Sequence, residues 1–227
     1  MVNERTAETA TWREMAVARS LDPARARAEE RVQRFLDAAM ELMRSSPDRE
    51  FTVQEVVERS GQSLRSFYQY FAGKHELLLA MFEESVRSAA EQVVGRLDGT
   101  DDPLERLHLF TSEYYRICRP TSGRGTANTA SVMADFAQQL LTKHPDEAAK
   151  AFAPLVSVYE ELLDEAAAAG SIRAGLDHRR ITGVVLQAVM FNTFADTISA
   201  SSVREPEPAA EGLWELLLDG LGVGPRA

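Results

Sequence analysis

"RSGQSLRSFYQYFAGKHELL" runs from Arg59 to Leu78. It reads as a helix stop, a tight turn, a short second helix and the start of a third. Gly61 is the residue expected to take positive φ in the turn. Ser63 is placed to cap the helix from Leu64 to about Phe71. Phe67, Tyr68, Tyr70 and Phe71 crowd that helix, between Arg65 and Lys74. Leu64, Phe67 and Phe71 fall at i, i+3 and i+7, one helical face. That face is expected to pack on Val56, Val57, Phe35 and Leu78. Arg65, Ser66, Tyr68, Gln69 and Tyr70 are left on the remaining surface.

Two helices joined by a glycine-bearing turn form a helix-turn-helix, whose second helix enters the major groove of DNA. Arginine pairs in bidentate fashion with guanine, and hydroxyls reach phosphates or base edges. Lys74 opens the next helix, where free N–H groups also favour a phosphate. Upstream, Thr52-x-x-Glu55 is a capping box that starts the first helix of the pair, with Val53, Val56 and Val57 as its apolar side. Further upstream, Asp22-Pro23 reads as an N-cap and a first-turn proline. They open a helix to about Ser45 that carries Val32, Phe35, Leu36, Ala39, Met40 and Met43. Residues 1–21 read as an N-terminal arm, flexible, with at most one helical turn.

Downstream, an amphipathic helix is expected from His75 to Leu97. Asp102-Pro103-x-Glu105 repeats the cap, proline and carboxylate arrangement and starts a helix to about Cys118. Arg119–Asn128 reads as a flexible connection. Helices follow near 129–143, 145–170, 178–200 and 208–221. Pro154 is expected to kink or split the second of these, Gly170 to close it and Asp177 to cap the next. No segment has strand periodicity. The fold class is all-α, with about nine helices. The domains are a 22–74 helix-turn-helix unit and a larger helical unit at 75–227.

Charge divides the chain the same way. The net charge is −10, yet residues 25–80 carry nine Lys/Arg and nine Asp/Glu, whereas residues 81–227 carry 13 against 22. A neutral, arginine-bearing head on an acidic body fits DNA contact through the head alone. The single Cys118 excludes an internal disulfide framework. No apolar run reaches membrane-span length, and the N-terminus lacks a signal-peptide core. The expected location is cytoplasmic, with no membrane partner.

"FTVQEVVERSGQSLRSFYQYFAGKHELLLAMFEE" (Phe51–Glu84) resembles the DNA-binding segment of the TetR family of bacterial regulators. The run Phe67-Tyr68-Gln69-Tyr70-Phe71, then Gly73-Lys74 and Glu76-Leu77-Leu78, carries the resemblance, which covers about residues 29–85. It implies three small DNA-reading helices and a fourth leading into a divergent ligand domain. It also implies a homodimeric repressor released from a palindromic operator by a small molecule. By position it points to Thr52, Gln54, Leu64, Arg65, Ser66, Tyr68, Gln69, Tyr70 and Lys74 as DNA-contacting residues. Position 70 is often histidine in that family, and tyrosine keeps a phosphate donor there.

The rest of the chain is expected to bind the effector and form the dimer. Ile181–Ser199 is apolar nearly all round, interrupted by Gln187 and Asn192, so it is buried on more than one side. With Gly212–Gly222 it is expected, as the resemblance implies, to form half of an intermolecular four-helix bundle through Val184, Phe194, Ile198, Leu213, Trp214 and Leu217; the alternative is that the two helices only close the monomer's own core. Phe110, Tyr114, Met133, Phe136, Phe152, Tyr159, Phe191 and Asn192 are candidate lining for a pocket that takes a small hydrophobic ligand, with plain core packing the alternative for each. The helix from His75 to Leu97 is the expected lever between pocket and head. His75, His108, His144 and His178 lack metal-ligand spacing, and no nucleophile elbow, phosphate loop or HExxH occurs. No cofactor, metal or catalytic residue is expected. The alternative reading is an all-α small-molecule-binding protein or enzyme that reuses the fold without operator binding.

Overall fold

The computed structural model describes residues 12–45, 49–119, 126–198 and 206–222, all helix or connecting turn. In order the helices are α1 (Trp12–Ser45), α2 (Val53–Ser60), α3 (Leu64–Tyr70), α4 (Lys74–Leu97) and α5 (Pro103–Cys118). They continue with α6 (Thr126–Lys143), α7 (Pro145–Ala168), α8 (His178–Ile198) and α9 (Pro206–Leu221). The chain divides into two compact units, Met1–Lys74 and His75–Ala227.

In the first unit the expected helix start at Asp22-Pro23 is corrected. α1 begins at Trp12, and Pro23 lies inside it. Proline removes one intrahelical bond and clashes with the preceding turn, at a cost of about 3 kcal/mol. The flanking sequence is rich in Ala, Arg and Glu, which are strong helix formers. The i, i+4 pairs Arg25–Glu29 at 2.8 Å and Arg34–Glu30 at 2.6 Å add a little more. Residues 1–11 of the expected arm lie outside the described residues. The core of the unit is Phe35, Ala39, Met43, Phe51, Val56, Val57, Phe67 and Phe71, all buried.

In the second unit α5 packs against α7, α8 and α9, and α7 also meets α6 and α8. Asp102 caps α5 as expected, its Oδ1 accepting from the N–H groups of Leu104 at 2.8 Å and Glu105 at 3.1 Å. Asp177 caps α8 through the Arg180 N–H at 3.0 Å. Gly170 takes φ +72° just after α7. Pro154 does not split α7, which is one helix. Leu155, Tyr159, Leu162 and Leu163 after it, and Ala148 and Ala151 before it, are buried. Each large side chain contributes about 1.5–3 kcal/mol on burial, so together they outweigh the proline. The expected connection at 119–128 is shorter, because α6 begins at Thr126. Residues 120–125 lie outside the described residues.

Among the described residues one carboxylate is largely buried. Glu113 is 8% exposed. It accepts from Arg116 at 2.5 and 3.0 Å, with Arg96 3.8 Å away. The Arg116 hydrogen bonds hold its pKa below the ordinary carboxylate value, against the opposing effect of burial. No helix among the described residues is long and apolar enough to cross a membrane.

Candidate nucleic-acid interface and effector cavity

α2 starts with the expected capping box. Thr52 Oγ1 accepts from the Glu55 N–H at 3.3 Å, and the Thr52 N–H donates to Glu55 Oε2 at 2.8 Å. The Thr52 hydroxyl also donates to that carboxylate at 2.9 Å. Hydrogen bonds from Thr52, then from Arg49, lower the pKa of Glu55. The Thr52 hydroxyl is therefore engaged in holding the helix start. Thr52→Ala is expected to lower stability by about 1 kcal/mol, as loss of an N-cap does. Urea unfolding measures it, and an unchanged midpoint would count against the cap.

Gly61 takes φ +66° and its N–H closes α2 onto Glu58 and Val57. L side chains pay about 1–2 kcal/mol in that region, which is why glycine occupies the turn. Ser63 then caps α3, its Oγ accepting from the Ser66 N–H at 3.1 Å. The aromatics divide as the period predicts. Phe67 is fully buried and meets Phe35 edge-on at 5.4 Å. Phe71, in extended conformation just after α3, lies 5.3 Å from Phe67 and 6.2 Å from Phe35. These three rings anchor a helix of seven residues that is too short to persist alone.

Leu64 departs from the expected buried face. It is the first residue of α3 and stays 48% exposed. Phe67 and Phe71 already fill the space against Phe35, so the helix start projects outward. The outer surface of α3 is then Leu64, Arg65, Tyr68 and Gln69, with Ser66 and Tyr70 half-buried. Tyr68 is 58% exposed although its ring touches Phe67 edge-on. Thr52 and Gln54 are also exposed. Among the described residues no carboxylate holds Arg65. Lys74 differs: its Nζ lies 2.9 Å from Glu50 and 4.7 Å from the Phe51 ring centroid. A phosphate would have to displace Glu50, whose pKa is lowered by that lysine.

In the second unit a cavity of about 370 Å³ opens among α6, α7 and α8. Leu141, Ala148, Phe152, Val156, Leu186 and Met190 supply apolar wall, and Arg179 and Gln187 supply polar groups. Of the expected lining residues whose side chains are described, only Phe152 belongs to it. Phe110, Tyr114, Phe136 and Tyr159 are buried in the core. Phe110 meets the Tyr159 ring at a tilt, with centroids 4.8 Å apart. Desolvation pushes the Tyr159 phenol up to about 12, against the opposing Thr111 hydroxyl. Met133 is half-buried against the core and Phe191 is 39% exposed. The Asn192 side chain lies outside the described residues. Aromatic size attracted the expectation, but large rings fill a core as readily as they line a cavity. The usable signal was Gln187, which interrupts the apolar run of α8.

The expected dimer residues also divide. Val184 is 59% exposed. Leu213 and Trp214 are buried in this chain's own core, and Leu217 packs beside them. Trp214 stacks on His108 at 5.0 Å, and Glu211 lies 2.9 Å from that histidine. Leu216, not expected, is 69% exposed. The side chains of Phe194 and Ile198 lie outside the described residues.

Residues 35–81 match the model for bacterial regulatory proteins of the tetR family. The chain is 27% identical over 85 residues to YvdT, an uncharacterized HTH-type transcriptional regulator of Bacillus subtilis. That match spans 37% of this chain and 44% of the relative. It is 20% identical over 191 residues to the fatty acid metabolism regulator protein of the same organism, spanning 82% of this chain and 93% of the relative. Among solved structures, FadR from Bacillus subtilis in complex with stearoyl-CoA superposes with a TM-score of 0.66 at 18% identity. It covers 83% of this chain and 98% of FadR.

Proposed function

Since the chain is a TetR-family transcriptional regulator, we propose that it is a homodimeric repressor of a palindromic operator, released by a fatty acyl thioester of coenzyme A. The observation that carries the ligand class is the cavity. Its wall is apolar on α6, α7 and α8, with Arg179 as its cation and Gln187 as a neutral polar group. An acyl tail suits the wall, and an arginine suits a phosphate-bearing head group. The volume lies at the small end of ordinary ligand sites. The names of two relatives, a fatty acid metabolism regulator and a FadR bound to stearoyl-CoA, support the same class.

On this reading DNA is held through Arg65, Tyr68, Gln69 and Gln54 on the exposed side of the head, with Leu64, Ser66, Tyr70, Thr52 and Lys74 beside them. The protein then works in the cytoplasm, where the operator is. A ligand that releases DNA must bind the DNA-incompetent form better. Couplings of this kind run about 1–3 kcal/mol, so long-chain acyl-CoA is expected to weaken operator binding roughly 5–150-fold. By reciprocity operator weakens acyl-CoA binding by the same factor. Each methylene that enters the cavity adds up to about 0.8 kcal/mol, roughly fourfold in affinity. Calorimetry of an acyl-CoA chain-length series, with and without operator, tests both statements. Free coenzyme A is expected to have no effect. One operator affinity in the presence and absence of saturating acyl-CoA would end this reading of the effector.

A further inference from the structure

Sequence spacing scatters the four histidines, but the fold of the second unit gathers two of them around one carboxylate. His75 lies in the first turn of α4 and His144 immediately precedes α7. Their rings are 4.7 Å apart between centroids and inclined at 41°. Glu147 lies three residues beyond His144, one helical turn along the same face. Its Oε2 is 2.7 Å from His75 Nε2 and its Oε1 is 3.7 Å from His144 Nδ1. One donor atom from each of the three lies within 4.8 Å of the other two.

A simple His–Glu hydrogen bond accounts for His75 and Glu147 but not for His144. The His144 side chain makes no capping bond to α7. Its imidazole instead faces the same carboxylate. The other histidines show what an ordinary pair looks like: His108 with Glu211 and His178 with Asp164, at 2.9 and 2.6 Å. Among the described residues only His75, His144 and Glu147 assemble three ligand-bearing side chains.

We propose that His75, His144 and Glu147 bind a divalent transition-metal ion, Zn²⁺ being the closest match, and so join the first turn of α4 to the start of α7. Two imidazoles and one carboxylate form a borderline-soft set that suits zinc, with a fourth position left for water or another ligand. Donors around a tetrahedral zinc sit about 3.3 Å apart, given metal–ligand bonds of about 2.0–2.2 Å. The observed separations bracket that value, so closure needs only rotamer adjustment. The side chains have room for it: His75, His144 and Glu147 are 45%, 43% and 37% exposed. An ion can therefore enter from solvent. None of the three lines the cavity, so the site stands whether or not the acyl-CoA reading does.

The test uses the full chain, freed of any affinity tag and stripped with a chelator. Zinc calorimetry is expected to show one ion per chain. Cobalt substitution is expected to give the intense visible bands of a tetrahedral centre. His144→Ala and Glu147→Gln should each weaken binding more than about tenfold, or ~1.4 kcal/mol, while His178→Ala leaves it unchanged. Equal zinc affinity in wild type and both variants overturns the proposal. A second measurement needs no variant. Zinc should protect His75 and His144, but not His108 or His178, from acylation by diethyl pyrocarbonate, read by mass spectrometry. Equal modification of all four histidines at saturating zinc also overturns it.

Discussion

Val184→Glu is expected to give a monomer that holds a palindromic operator at least about 100-fold more weakly than the wild type. Two linked heads exceed one by about 10²–10⁴ through effective concentration alone, and half-sites one helical turn apart need both heads. Val184 is 59% exposed on α8, and Phe191, two helical turns on, is 39% exposed on the same side. Apolar residues on a shared exposed face are what a partner helix covers. A glutamate there would be buried against the partner without a counter-charge, at several kcal/mol. Because Val184 is exposed, the chain's own core loses little, and the variant is expected to fold. Leu216→Glu on α9, 69% exposed, tests the proposed interface at a second helix. Sedimentation that shows wild type and both variants with one mass removes this interface from the proposal.

Arg65→Ala is expected to cost about 1–3 kcal/mol of operator affinity and to relax preference at one base pair, the loss typical of a bidentate guanine contact. Arg65 is exposed on α3, so its removal leaves the ring cluster of Phe35, Phe67 and Phe71 intact. Lys74→Ala should act differently. A phosphate contact carries no sequence information, so operator and random duplex weaken alike and the salt slope falls by about 1. Lys74 already pairs with Glu50 at 2.9 Å, and DNA must compete with that pair. Glu50→Gln is accordingly expected to tighten binding to every duplex. Equal affinities of wild type and Arg65→Ala for operator would remove Arg65 from base reading.

Local chemistry was legible in the sequence wherever a few adjacent residues decide the outcome. The Thr52/Glu55 box, Gly61, the Ser63 cap and the caps at Asp102 and Asp177 each depend on residues within one turn. The spacing of Phe67 and Phe71 against Tyr68 separates inside from outside for a similar reason, because a helix imposes its period on the chain. The prolines mark where local rules lose. Pro23 read as a helix start and Pro154 as a kink or split, and both lie inside continuous helices. Around Pro154 the decision rests on the burial of Leu155, Tyr159 and Leu162, which a local window does not see.

Tertiary structure alone decided which apolar surface meets which. Trp214 and Leu213 read as partner-facing, but they pack in the chain's own core, while Leu216 of the same helix stays out. A period gives the angle between side chains, not the identity of what lies opposite. The cavity follows the same logic. It opens where Ala148, Ala149 and Gly183 leave space between helices, and small residues send no signal in a search for large ones. His75 and His144 stand 69 residues apart in the chain. Only the approach of α4 to the start of α7 turns two unrelated histidines and one glutamate into neighbours.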